Sequence, residues 1–218
     1  MKTPRILAAT IALLLTARSF AASFTWDGGA VLGPEWSRDN TWSGNNAPPS
    51  NGTADLFFAG SNRLDATADA AWNIRALTFN SGAGQFDVQG STLTIGSGGV
   101  TSNSANSQPV NNNIVLSAAQ TFNTTSTGSL GLHGSVNLNG HALTVDPSLN
   151  TLSQVITFLG AISGAGGITK NGIGAMRLDN FTRTLSRAAS RSTPGLSSCR
   201  APTALAGPSY RFLDRWRS

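Results

Sequence analysis

Short runs of alternating apolar residues fill the sequence from residue 76 onward, and each run ends at glycine, asparagine or serine. Alternation at period two with frequent turn residues predicts β-strands, and no stretch has a convincing helical period. The sequence therefore predicts an all-β fold. The alternating pairs are Leu77/Phe79, Phe86/Val88, Leu93/Ile95, Ile114/Leu116, Leu130/Leu132, Val136/Leu138, Leu143/Val145 and Ile156/Phe158.

Three features favour a parallel β-solenoid over a sandwich or barrel, which the alternation alone also permits. Strand-sized units of similar composition recur without the long connections of a Greek key, as in GSTLTIGSG and GSLGLHGSVNLNG. Charged residues are nearly missing from residues 93–170, where stacked strands would set like charges over one another. Asparagine and threonine are abundant and form ladders between rungs. With roughly 20–25 residues per rung, residues 76–180 supply about four or five rungs.

Residues 163–180 read SGAGGITKNGIGAMRLDN, which predicts a strand, a tight turn and a strand. A glycine-rich lead into Ile-Thr-Lys-x-Gly-x-Gly, followed by alternating apolar residues, resembles the autotransporter-associated β-strand repeat. That repeat occurs in long secreted and surface proteins of Gram-negative-type bacteria. The resemblance implies a parallel β-solenoid passenger without enzymatic chemistry of its own.

Residues 22–75 form an N-terminal region that differs from the rungs, with turn-rich connectors and a predicted strand at residues 54–59. Its tryptophans have two interpretations. They are a platform for stacking sugars, or they cap the first rung of the solenoid, whose open end would expose apolar side chains and strand edges. We favour the cap. The tryptophans are Trp26, Trp36, Trp42 and Trp72.

Residues 1–21 have the three parts of a cleaved secretory signal peptide. Lys2 and Arg5 give a positive start, an apolar run follows at residues 6–15, and small residues surround the expected cleavage after Ala21. The apolar run is too short to span a bilayer. The alternative is a buried N-terminal helix, but the run lacks amphipathic spacing. We therefore expect export to the cell surface or the medium, with the periplasm as a further option.

The net charge of +5 and the pI of about 10.7 would suggest a nucleic-acid partner, but the charges are unevenly placed. The basic excess lies in the signal peptide and in residues 181–218, whereas acidic residues outnumber basic ones between them. We therefore expect no nucleic-acid partner.

The chain changes character at residues 181–218, which lose the alternation and are rich in arginine. They also hold the single cysteine, Cys199. Because the repeat stops in mid-unit, we favour a frameshift near codon 180 and a tail that is translated out of frame. The alternatives are a genuine basic anchor and a disordered extension. We expect the tail to be disordered or poorly packed.

No constellation for catalysis, cofactor binding or metal binding is recognised, so the sequence predicts no site residue of these kinds and no cofactor. His133 and His141 lack a nearby carboxylate or cysteine and are best read as surface or turn residues. Residues 82–87 match a calcium-binding nonapeptide only weakly, in a single imperfect copy. Asp87 and Asp146 are almost the only acids of the rung region before Lys170.

These observations predict a non-enzymatic, exported, adhesin-like β-solenoid that forms part of a surface or secreted passenger. Rows of threonine, asparagine and serine would bind surface polysaccharide or other cell-surface components through many weak hydrogen bonds. One alternative is a carbohydrate-active or carbohydrate-binding β-helix protein, and another is a truncated relic without independent function. We expect no transmembrane segment after signal cleavage, and self-association through the open end of the solenoid.

Overall fold

The computed structural model describes residues 21–29, 32–149 and 154–179. These residues form a nearly all-β chain whose strands stack in parallel as a β-solenoid of about five turns, so the predicted fold class is confirmed. The predicted signal peptide, except for Ala21, and the tail at 181–218 lie outside the described residues. The strands are β1 (Ala22–Trp26), β2 (Ala54–Phe58), β3 (Thr67–Ala68), β4 (Trp72–Phe79), β5 (Gln89–Gly90), β6 (Leu93–Ser102), β7 (Gln108–Val110), β8 (Ile114–Leu116), β9 (Gln120–Thr124), β10 (Leu130–Leu132), β11 (Val136–Asn137), β12 (Leu143–Pro147), β13 (Val155–Phe158), β14 (Ile162–Ser163), β15 (Ile168–Lys170) and β16 (Ala175–Leu178).

The strands form three faces, and each turn of the chain passes from face 1 to face 3 and then to face 2. Face 1 contains β1, β2, the C-terminal parts of β4 and β6, then β9, β12 and β15. Face 2 contains the N-terminal parts of β4 and β6, then β8, β11 and β14. Face 3 contains β7, β10, β13 and β16, and a short pair, β3 and β5, precedes it. An irregularity after Ile74 marks the corner between faces 2 and 1.

The register gives the length of a turn. On face 2, Leu93 pairs with Ile114 and Ile114 with Val136, which are 21 and 22 residues further along. The first turn is longer, because Ala22 pairs with Ala54, 32 residues on. The extra residues lie in the connector between β1 and β2, so the spacing of about 22 residues per turn cannot be recognised there from the sequence. The solenoid therefore begins at β1, and the expected boundary at residue 76 falls inside β4.

Inward-facing side chains form a continuous core along the axis of the solenoid. Every residue of the alternating pairs named above is buried, as the period-two pattern predicts. Aromatic rings fill the N-terminal half: Trp26, Phe58 and Phe79 occupy one position on successive strands of face 1. Further along, the rings of Phe122 and Phe158 stack with centroids 6.3 Å apart.

Residues 35–43, which we call the N-terminal closing segment, lie over the N-terminal end of the solenoid. The segment pairs antiparallel with β1 at Trp26, and the Ser43 amide donates to the Thr25 carbonyl at 2.7 Å. The Trp42 indole contacts Trp26 edge-on, with centroids 5.2 Å apart, and donates through Nε1 to the Trp36 carbonyl at 2.8 Å. All four tryptophans are buried, so the sugar-stacking platform is wrong. Trp36 and Trp42 pack on Trp26 of β1, Phe58 of β2 and Trp72 of β4, as a cap over the first turn does.

Buried polar side chains form hydrogen bonds with the backbone of the turns between strands. The Gln108 side chain accepts a hydrogen bond from the Phe86 amide at 3.1 Å and donates one to the Gly84 carbonyl at 2.8 Å. Ser104 donates to the Ala83 carbonyl of the previous turn at 2.7 Å. These bonds satisfy backbone groups that no ladder reaches.

Strands β15 and β16 confirm the two strands predicted within residues 163–180. In a hairpin these two strands would pair with each other. Instead, β15 pairs with β12 and β16 pairs with β13. The turn between them carries the chain from face 1 to face 3. Ile173 lies in that turn and is 69% exposed.

Candidate ligand-binding face

Two rows of polar side chains project outward from face 1 and run parallel to the solenoid axis. They arise because inward and outward residues alternate along each strand and the register keeps equivalent positions one above the other. Neighbouring strands place successive members about 4.8 Å apart. Row A contains Thr78, Thr101, Asn123 and Asp146. Row B contains Thr121, Thr144 and Thr169.

The hydroxyls of these rows are available to a ligand. Among the described residues, no hydrogen bond engages the hydroxyl of Thr101, Thr121 or Thr144. Other polar side chains of face 1 do form bonds between turns, since Thr125 Oγ1 donates to Asn103 Oδ1 at 2.6 Å. In row A itself, Asn123 Oδ1 accepts a hydrogen bond from Ser148 Oγ of the next turn at 3.2 Å. These bonds connect neighbouring turns beside the free hydroxyls.

A shallow, open groove of about 490 Å³ follows row B at the corner between faces 2 and 1. Small side chains leave it open, because Ala119 and Ala142 occupy equivalent exposed positions one residue before paired strands. Thr121 and Thr144 are the next outward residues on these strands and line the groove beside the alanines. The full lining is Ser97, Gly98, Ala119, Gln120, Thr121, Ala142 and Thr144.

No charged side chain lines this groove. It offers the hydroxyl groups of Ser97, Thr121 and Thr144 among small residues, whereas the Gln120 amide is buried and donates to the Ile95 carbonyl at 3.0 Å. Such a surface offers hydrogen bonds to a neutral, hydroxyl-rich molecule and gives no Coulombic attraction to an anion. Because the groove follows the axis, it suits an extended polymer better than a compact molecule.

The histidines and acidic residues that the sequence analysis considered for metal binding or catalysis lie far apart on the solenoid. His133 is exposed at the end of β10 on face 3, and His141 lies at the corner that precedes β12 on face 1. Asp87 lies beside face 3 and accepts a hydrogen bond from Asn111, whereas Asp146 belongs to row A on face 1. Within the described ranges, no group of three or more His, Cys, Asp or Glu residues is placed to hold a metal ion.

The sequence predicted rows of threonine, asparagine and serine, but not which residues form them or the groove beside them, because both depend on register rather than on any local motif. A signal was nevertheless present: triplets with Thr, one residue, then Asn or Asp recur at residues 121–123, 144–146 and 169–171. Their spacing of 23 and 25 residues matches one turn. Repeated outward triplets at the rung period would have identified face 1.

Comparison with known proteins found no matching family model, no matching curated protein and no matching solved structure. The part of the chain that the structure describes contains no helix with the length and apolar character needed to cross a membrane.

Proposed function

We propose that this chain is an exported, non-enzymatic adhesin-like β-solenoid whose groove on face 1 binds a neutral polysaccharide. The observation that supports the proposal is the uncharged groove flanked by the free hydroxyls of Thr121 and Thr144. The resemblance of residues 163–180 to the autotransporter-associated repeat, together with the signal-peptide pattern at residues 1–21, supports export to a surface or to the medium.

Binding would consist of many weak hydrogen bonds on a preformed surface. Each bond between neutral groups contributes about 0.5–1.5 kcal/mol, so a single turn holds a ligand only weakly. Successive turns repeat the same groups along the axis, and a polymer that spans several of them gains from multivalency. The four tryptophans of residues 22–75 are buried and cannot stack on sugars, so affinity at the groove depends on the hydroxyl rows.

A carbohydrate-cleaving activity has less support. Hydrolysis of a glycosidic bond ordinarily uses two carboxylates within about 10 Å that flank the bond. Asp87 and Asp146, the acids singled out from the sequence, lie on different faces and in different turns. They therefore do not form such a pair across the groove.

Retention on insoluble polysaccharide tests the proposed function. The chain without residues 1–21 is incubated with cellulose, chitin or granular starch, and the bound fraction is measured over a range of polysaccharide concentrations. In the double variant Thr121→Val/Thr144→Val, which keeps side-chain shape but removes both hydroxyls, we expect the affinity to fall about tenfold, the equivalent of roughly 1.4 kcal/mol.

The matched control is Thr157→Val, which removes an outward hydroxyl from β13 on face 3 and should leave retention unchanged. A second variant, Ala142→Phe, fills the groove from an exposed position and should also reduce retention. Loss of retention in Thr157→Val to the same degree, or failure of the unmodified chain to bind any of the three polymers, would contradict the proposal.

A further inference from the structure

One aromatic side chain projects outward from face 1. Phe57 lies in β2 between the buried Leu56 and Phe58, so the alternation of the strand directs it away from the core. It is partly exposed. Every other aromatic side chain that the structure describes is buried, apart from Phe24, which packs on the core. Among the described aromatic residues, Phe57 is therefore the one available to a ligand.

The register places Phe57 in line with row A. Its neighbours are Thr25 on β1 and Thr78 on β4, and Thr78 is followed by Thr101 on β6. In the described part of the chain, no hydrogen bond engages the hydroxyl of Thr25 or Thr78. Phe57 thus adds a flat apolar surface to a line of free hydroxyls.

The positions that continue row B toward β2 carry small residues. Gly99 on β6 is aligned with Thr121, Ala76 on β4 comes next, and Asp55 follows on β2. No side chain larger than a methyl group therefore separates Asp55 from Thr121 along this line. Asp55 forms an ion pair with Arg75 and so adds no net charge. The surface beside β2 thus continues the open, neutral character of the groove.

We propose that Phe57 is a sugar-stacking residue, and that the ligand of face 1 is a flat, extended polysaccharide of the cellulose or chitin type. This inference rests on the proposed function. In such a polymer the axial C–H groups of each sugar ring form an apolar face that packs against an aromatic ring, whereas the hydroxyls point sideways. A ring that stacks on Phe57 therefore keeps its hydroxyls free to bond with threonines of row A.

The distance between Phe57 and the groove favours an extended polymer over a small sugar. Strands β2 and β9 are separated by three strand spacings of about 4.8 Å, so Phe57 lies roughly 14 Å along the axis from Thr121. A monosaccharide contacts only one of these places, whereas an extended chain contacts both and gains from multivalency. The glucan chains of starch coil into helices and present no long flat ribbon. We therefore expect stronger retention on cellulose or chitin than on granular starch.

Retention of the chain without residues 1–21 on these three polymers tests the inference. Phe57→Leu keeps an apolar side chain but loses the flat ring, and should weaken retention on cellulose or chitin about fivefold. Phe57→Tyr keeps the ring and should change retention by less than about twofold. The matched control is Val115→Ala, which removes outward apolar surface from β8 on face 2 and should leave retention unchanged.

The outcomes separate this inference from the proposed function. If Thr121→Val/Thr144→Val weakens binding but Phe57→Leu does not, the groove is supported and the stacking role of Phe57 is overturned. Retention on starch that equals or exceeds retention on cellulose and chitin also overturns the inference, while the proposed function stands. That comparison uses only the unmodified chain, so it holds even if circular dichroism shows that a variant is misfolded. If the unmodified chain binds none of the polymers, both proposals fail.

A second copy of the chain is the other possible occupant of this surface. Light scattering coupled to size-exclusion chromatography measures the mass of the unmodified chain and of Phe57→Leu at the same concentrations. We expect equal masses. A larger species that Phe57→Leu abolishes would show that Phe57 contacts another copy instead of a sugar, and would overturn the inference.

Discussion

Individual residues adapt the backbone to its close approach between turns, and Gly99 shows this most clearly. Its φ is +66°, a conformation that disfavours side chains, and a Cβ added there would lie 2.1 Å from the Thr121 carbonyl oxygen of the next turn. The position lies just inside the corner between faces 2 and 1. Any side chain at residue 99 would therefore disturb the strand that positions row B.

Gly99→Ala should destabilise the solenoid by about 2–4 kcal/mol, because the left-handed backbone and the overpacking both oppose the methyl group. Urea unfolding followed by circular dichroism measures this loss. The matched control is Gly82→Ala, where φ is not positive and nothing lies within 4 Å of the added Cβ. We expect that control to stay within about 0.5 kcal/mol of the unmodified chain. Equal effects of the two substitutions would show that contact between turns is not the cause.

At the scale of elements, the N-terminal closing segment depends on ionised carboxylates. Arg38 donates a hydrogen bond to Glu35 and lowers its pKa below 4.5. Burial alone would raise the pKa of Asp69, but hydrogen bonds from Ser37, from the Asp69 backbone and from Trp72 together outweigh burial and lower that pKa from its usual value. The Ser37 amide donates to Asp69 Oδ1 at 3.2 Å and so connects the closing segment to the loop before β4.

This arrangement predicts an acid-sensitive end. A carboxylate with a lowered pKa in the folded state stabilises the fold above its unfolded pKa, and this contribution is lost as the pH falls through the folded value. The urea midpoint should therefore decrease as the pH falls below about 4.5. Asp69→Asn should reduce that decrease, whereas Ser43→Ala, an exposed substitution in the same segment, should not. An unchanged pH profile in Asp69→Asn would contradict this role of Asp69.

The elements also show what the sequence could and could not predict. Period-two alternation identified the buried residues correctly within residues 77–158, because inward and outward positions alternate in any half-buried strand. It failed at Ile173, which lies in a turn and is exposed. It did not identify pairing partners: β15 and β16 are adjacent in sequence, yet each pairs with the preceding turn. The start of the solenoid was predicted too late in the chain, because the long connector after β1 makes the first turn longer than the others. Row B and its groove depend on register, which no local motif specifies.

For the whole molecule, stacking in one dimension predicts a gradient of stability along the axis. Each turn contacts only its neighbours, so a strand with turns on both sides loses more on opening than a strand at an end. Strands β6, β9 and β12 have a neighbour on each side, whereas β14, β15 and β16 have one among the described residues. Amide hydrogen exchange should therefore be slow in the first group and faster in the second.

Hydrogen exchange along β15 should also alternate from one residue to the next. The amides of Thr169 and Asn171 face β12, and Asn171 donates to the Val145 carbonyl at 2.8 Å, so these amides should exchange more slowly than those of Ile168 and Lys170, which face away from β12. Exchange measured by NMR at single residues tests this alternation. Equal exchange rates at the four amides would instead indicate that β15 opens as a unit, so that pairing with β12 does not set the rate of each amide.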